Sequence, residues 1–133
     1  SKRPVNDDFN LFYFSRNYHL FGRDDLALRH YNKLLTKFPD SVYAEDALFF
    51  LGIFYFDVKK DYRKATYYLK IVVEKKSERW GKAAYYYLGR ANSQIGNYNE
   101  SISAYGKTNI ERLPQDVLVH LIASKAGVHP LAH

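Results

Sequence analysis

A chain of 133 residues is long enough for one domain with a proper core and too short for two ordinary ones. With 47% hydrophobic and 26% charged residues it has the balance of a soluble globular protein, and the absence of Cys excludes disulfides, thiol catalysis and Cys-ligated zinc. The net charge of +6 favours acidic partners or anionic surfaces, and no run of 18 apolar residues is present to span a membrane.

The opening Ser1-Lys2-Arg3-Pro4 is basic with no apolar run behind it, so it does not read as a signal peptide; a lipid anchor upstream of Ser1 stays open. Helical periodicity then dominates. A first helix carries Phe9, Leu11, Phe12, Tyr13, Phe14 and Tyr18, with Asp7 and Asp8 as caps or dipole partners at its start and Gly22 as its break. The second runs through Leu26, Ala27, His30, Tyr31, Leu34, Leu35 and Phe38 at spacings of three and four, with Asp24 and Asp25 placed to cap it. Pro39 ends that helix, because the residue before a proline is pushed out of the helical region. Asp40 or Ser41 can cap the third, over 42–58, which is apolar almost all round and must be covered on several sides.

The fourth helix follows Asp61-Tyr62 and carries Ala65, Tyr68, Leu69, Val72 and Val73. A polar stretch leads to Trp80 and to a fifth helix through Ala84, Leu88 and Ala91, closed by Gly96-Asn97. Tyr98, Ile102 and Tyr105 mark a short sixth helix. Pro114 suits the first turn of a seventh, which is stopped by Gly127 and Pro130.

The helices repeat. Leu48-Phe49-Phe50-Leu51-Gly52 matches Tyr85-Tyr86-Tyr87-Leu88-Gly89 at an offset of 37, and Leu11-Phe12-Tyr13-Phe14-Ser15 stands 37 before the first of these. In the second helix of each pair Ala27, Ala65 and Ser101 correspond, as do Tyr31, Leu69 and Tyr105. A period of this length fixes an all-α architecture of stacked hairpins.

The pattern resembles the tetratricopeptide repeat, with Leu48, Leu51, Gly52, Tyr55, Ala65 and Leu69 filling its slots in the middle copy. The small residue lets two helices cross closely, and Ser15 and Ser101 are small enough to serve. The resemblance implies a right-handed solenoid, with repeats at about 7–39, 41–77 and 80–113 and a capping helix at about 114–127, all in one domain spanning 1–133. A narrower resemblance lies in Phe38-Pro39-Asp40-Ser41-Val42-Tyr43-Ala44-Glu45-Asp46-Ala47-Leu48, which is similar to the linker of bacterial cell-envelope repeat proteins. Two such proteins are the Tol–Pal-associated periplasmic protein and the outer-membrane-assembly lipoprotein. The expected setting is therefore the bacterial envelope or periplasm, with the cytoplasm as alternative.

Little in the chain points to catalysis. No phosphate-binding glycine loop and no His-Glu-x-x-His occurs, and the acid pairs sit at helix starts. His129 and His133 alone stand four apart, past the last helix, where a solvated tail is expected rather than a metal site. No cofactor and no metal is expected.

Binding is better supported. Solenoids stack their first helices along a concave contact face. By register that face receives Phe12, Arg16 and His19, then Phe49, Ile53 and Phe56, then Tyr86, Arg90 and Ser93. The middle trio predicts an apolar patch of the kind monomers rarely leave bare, unless neighbouring helices cover it. Arg16 and Arg90 flank it and suit carboxylates. The expected function is a non-catalytic scaffold for a peptide or partner protein, apolar with acidic flanks. Homo-oligomerisation is the alternative. A clamp for a chaperone tail is disfavoured, because the groove positions lack its Lys and Asn. Nucleic acid is disfavoured too, since Tyr85-Tyr86-Tyr87 on a helix point three ways.

Overall fold

The computed structural model describes residues 7–127. The terminal segments Ser1-Lys2-Arg3-Pro4, His129, Pro130 and His133 lie outside the described residues. Seven helices and no strand occur among those described: α1 (Asp7–Leu20), α2 (Asp24–Lys37), α3 (Val42–Asp57), α4 (Tyr62–Glu74), α5 (Gly81–Ile95), α6 (Tyr98–Tyr105) and α7 (Gln115–Lys125). None is long and apolar enough to cross a membrane.

The helices pack as hairpins, α1 on α2, α3 on α4 and α5 on α6, with α7 against α6. The pairs are joined by α2 on α3 and α4 on α5, and α1 and α5 both touch α3. This central position explains the all-round apolarity of α3, which feeds two cores. One side, with Ala47, Leu51 and Phe54, packs with Ala27, Tyr31 and Leu34. The other, with Leu48, Phe49 and Phe56, packs with Leu69, Val72, Ala84 and Leu88. An element buried on opposite sides cannot have a single apolar stripe.

The helix boundaries have local causes. Ser41 caps α3 by accepting from the Tyr43 N–H at 3.0 Å, and Asp61 caps α4 by accepting from that of Lys64 at 3.1 Å. Gly96 closes α5 at φ +94°, a left-handed conformation that costs glycine nothing. Three expectations about caps are corrected. Asp24 and Asp25 lie inside the first turn of α2, whose N-cap is Arg23 without a side-chain cap, so they act on the helix dipole. Asp7 and Asp8 likewise lie within the first turn of α1, where they act as the dipole partners expected of them rather than as caps. Pro114 is the N-cap of α7, with extended ψ of 152°, one position before the first turn.

The small residue at each helix crossing has the expected cause. A Cβ added at Gly52 would lie 2.8 Å from Leu69 Cγ, and one at Gly89 would lie 2.7 Å from two atoms of the Tyr105 ring. Ser15, at the same place in the first pair, is fully buried and turns its hydroxyl back to the Leu11 carbonyl at 2.6 Å. At the last crossing Ser101 adds a cross-helix bond, donating to the Gly89 carbonyl at 2.6 Å. Burial pushes the Tyr105 hydroxyl up to about 12, with Tyr86 adding and Arg90 opposing. Its neutral form belongs to the fold, so stability is lost as pH rises from 10 through that value.

Candidate interaction face

Helices α1, α3 and α5 carry the predicted site residues, and the structure sorts those residues by burial. Phe12 is half-buried, its ring 5.7 Å from Tyr43 and 6.0 Å from Phe50. Ile53 is half-buried against the second core. Phe49 and Phe56 are only 5% exposed each. The expectation of a bare Phe49, Ile53 and Phe56 patch is therefore corrected. Phe49 lies under Trp80 in a parallel stack, centroids 4.3 Å apart and planes at 10°. Phe56 is enclosed by Tyr62 at 5.3 Å, Tyr87 at 5.4 Å and the Arg90 guanidinium at 4.7 Å. Rings of this size gain more from burial under neighbouring rings than from facing water.

What this face presents instead is charge mounted on rings. The Arg16 guanidinium lies 3.7 Å from the centroid of Phe50, a residue of α3. Arg90, on α5, is exposed, and its guanidinium lies close to Phe56, Tyr87 and Tyr86. Among the described residues neither arginine has a carboxylate partner. Arg16 Nη1 is taken up by His19 Nδ1 and the Tyr31 hydroxyl, so an acceptor would meet its remaining N–H groups and those of Arg90. Beside Arg90 a groove of about 360 Å³ opens between Tyr86, Ser93, Tyr105 and Asp116. Ser93 itself is buried and donates to Asp116, which ties α7 to α5.

His19 completes the α1 side. Its Nδ1 lies 3.1 Å from both Arg16 Nη1 and the Tyr31 hydroxyl, and its ring meets Phe54 edge-on at 5.0 Å. Because arginine only donates, Nδ1 is an acceptor and the ring is neutral. Burial lowers the His19 pKa below 6.5, and the Arg16 charge lowers it further. The unfolded chain therefore takes up this proton first as pH falls. The stability His19 contributes is intact above pH 6.5 and declines as pH drops from there toward the folded value. Thermal melts between pH 7.5 and 5 are expected to fall more steeply for the native chain than for His19→Gln. Equal slopes would refute this.

Three contributors were missed by reading the sequence. Asp46, 4% exposed, accepts from the Trp80 indole N–H and from Arg79 Nη1, which lies 3.1 Å from each carboxylate oxygen. The one signal for Asp46 was an acid inside an apolar helix, three residues before Phe49, and it does not name the groups that meet it. Trp80 and Arg79 carried no such signal, because they precede α5 and reach Asp46 only by folding back across 33 and 34 positions. Among the described residues no cluster of His, Asp and Glu is placed to hold a metal ion.

No curated protein matches this chain. Residues 10–41, which form most of α1, all of α2 and the cap of α3, match the family model of the tetratricopeptide repeat, and with seven helices and no strand among the described residues the chain is an all-α helical repeat consistent with a solenoid of that type.

Proposed function

We propose that the protein is a non-catalytic scaffold whose α1–α3–α5 face, the concave face expected of such a solenoid, holds an acidic segment of a partner protein. Tetratricopeptide repeats generally mediate contacts between proteins. The observation that carries the finer reading is the pair Arg16 and Arg90, each laid on a ring of α3 and each without an acid of its own among the described residues. A guanidinium held over a ring is partly ordered before binding, so less side-chain freedom is lost when a carboxylate docks. With Phe49 and Phe56 covered, the partner's acidic groups rather than its apolar ones are the anchors. The similarity of residues 38–48 to envelope-protein linkers supports a bacterial periplasmic partner.

One experiment tests both parts. Immobilised chain and its Arg16→Ala/Arg90→Ala variant are used to capture partners, which are identified by mass, and affinity for the captured acidic segment is then measured. The double variant is expected to bind at least tenfold more weakly, with Lys at both positions failing to restore affinity. Unchanged capture by the variant would overturn the arginine reading, and a cytosolic partner would overturn the envelope setting.

A further inference from the structure

One of the two arginines of the interaction face is held by a group that titrates. Nη1 of Arg16 lies 3.1 Å from His19 Nδ1 and 3.4 Å from the Tyr31 hydroxyl, which itself lies 3.1 Å from the same Nδ1. The three groups close a triangle between α1 and α2. Tyr31 is fully buried, so water does not compete for its corner. Only the neutral imidazole can accept from Arg16. Once Nδ1 carries a proton it donates, and the Tyr31 hydroxyl is the one acceptor left to it in the triangle. Arg16 then faces an N–H and a like charge where it had a lone pair. What still holds the guanidinium is the Phe50 ring, 3.7 Å away, which leaves its N–H groups free to turn toward an incoming acid.

The titratable and charged groups around His19 are Arg16 on α1, Tyr31 and Asp24 on α2, and Asp57 on α3. The Phe54 ring meets it edge-on, and Lys59 Nζ lies 5.9 Å from the centroid of that ring. Asp24 and Asp57 favour the proton through their charge alone. Burial and the Arg16 charge outweigh them and keep the ring neutral at pH 7. We propose that proton uptake by His19 releases Arg16 and tightens the hold of this face on an acidic segment of its partner, so that the scaffold binds more strongly in mildly acidic than in neutral surroundings. This regulation rests on the acid-binding role proposed above for Arg16 and Arg90. Linkage supplies its converse: a carboxylate docked on Arg16 stands beside His19 and raises the proton affinity of the ring by the same factor.

The probe is an acetylated hexaglutamate amide, whose side chains stay largely ionised down to about pH 5.5. It is titrated into the 133-residue chain and into His19→Gln at pH 7.5 and 5.5. Gln keeps an acceptor for Arg16 but takes up no proton, so the comparison cancels the other histidines and the peptide's own titration. The native chain is expected to gain about fivefold in affinity on acidification beyond what His19→Gln gains. NMR of the peptide-free chain supplies an independent readout: the Arg16 side-chain N–H resonances should move with the same midpoint as the His19 ring, and saturating peptide should raise that midpoint. Arg16→Ala should raise the midpoint without peptide and lose the fivefold gain. An Arg16 signal that ignores the His19 titration overturns the proposal, as does an equal gain in the native chain and His19→Gln. If hexaglutamate fails to bind, or binds Arg16→Ala/Arg90→Ala at pH 7.5 as it binds the native chain, the acid-binding face falls and the regulation with it. The peptide-free midpoints then tell that failure from a failure of the Arg16–His19 bond.

Discussion

Gly89→Ala is expected to destabilise the protein by about 2 kcal/mol, although alanine is the better helix former. In isolation the substitution in mid-helix favours the folded state by about 1 kcal/mol. Against that stands the Tyr105 ring, three of whose atoms would lie within 2.8 Å of the new methyl. A ring cannot fold away as an aliphatic tip can, and Tyr105 is itself buried. Either α6 shifts off α5 or the ring leaves its seat, and overpacking of this kind costs roughly 3 kcal/mol. The Ser101 bond to the Gly89 carbonyl stretches with any such shift. Gly52→Ala meets the side chain of Leu69, which can change rotamer, so it should cost less than Gly89→Ala. Ser15→Ala should be nearly neutral, because a Cβ is already accommodated there. Thermal melts of the three variants test this order. A Gly89→Ala protein as stable as the native chain would show that the crossing is not close-packed.

Asp46→Ala is expected to cost about 2 kcal/mol and to loosen Trp80. The carboxylate is buried and holds two groups, but they contribute unequally. Arg79 is 69% exposed in its side chain, so its ion pair is screened by water and contributes little. The bond from the Trp80 indole is charge-assisted, and its loss leaves a half-buried N–H without an acceptor, which accounts for most of the cost. Trp80 also roofs Phe49 and meets Phe50 edge-on, so the fixed indole keeps two rings of α3 covered. It is the single tryptophan of the chain, and its emission reports on this corner alone. Asp46→Ala should shift that emission to the red and lower the melting temperature. Asp46→Asn, which keeps an acceptor oxygen, should do less of both, and Arg79→Ala least. Native emission in Asp46→Ala would refute the assignment of the bond.

The two variants probe different kinds of legibility. The Gly89 crossing was readable because it recurs at a fixed interval in the chain, and a small residue at a repeated place between two apolar runs marks where two helices approach closely. The Asp46 corner was not. Register separates Phe49 and Phe56 from Leu51, although Leu48, expected on the face of Leu51, shares a core with the two rings, and register says nothing of what lies beyond a helix. The covering groups come from elsewhere: Trp80 from the segment before α5, Tyr62 from the start of α4, and Tyr87 and Arg90 from α5. Arg16 and Arg90 were read as flanking charges, and only the fold shows that each rests on a ring of α3.

By itself the sequence determined the number of helices, several of their ends and which positions recur, because capping, proline, glycine and apolar spacing act within a few residues of one another. The tertiary structure decided which aromatic rings are covered and on which of them Arg16 and Arg90 rest. Those depend on contacts between segments far apart in the chain: Trp80 reaches Phe49, and Tyr62, Tyr87 and Arg90 reach Phe56, only once α4 and α5 are packed on α3.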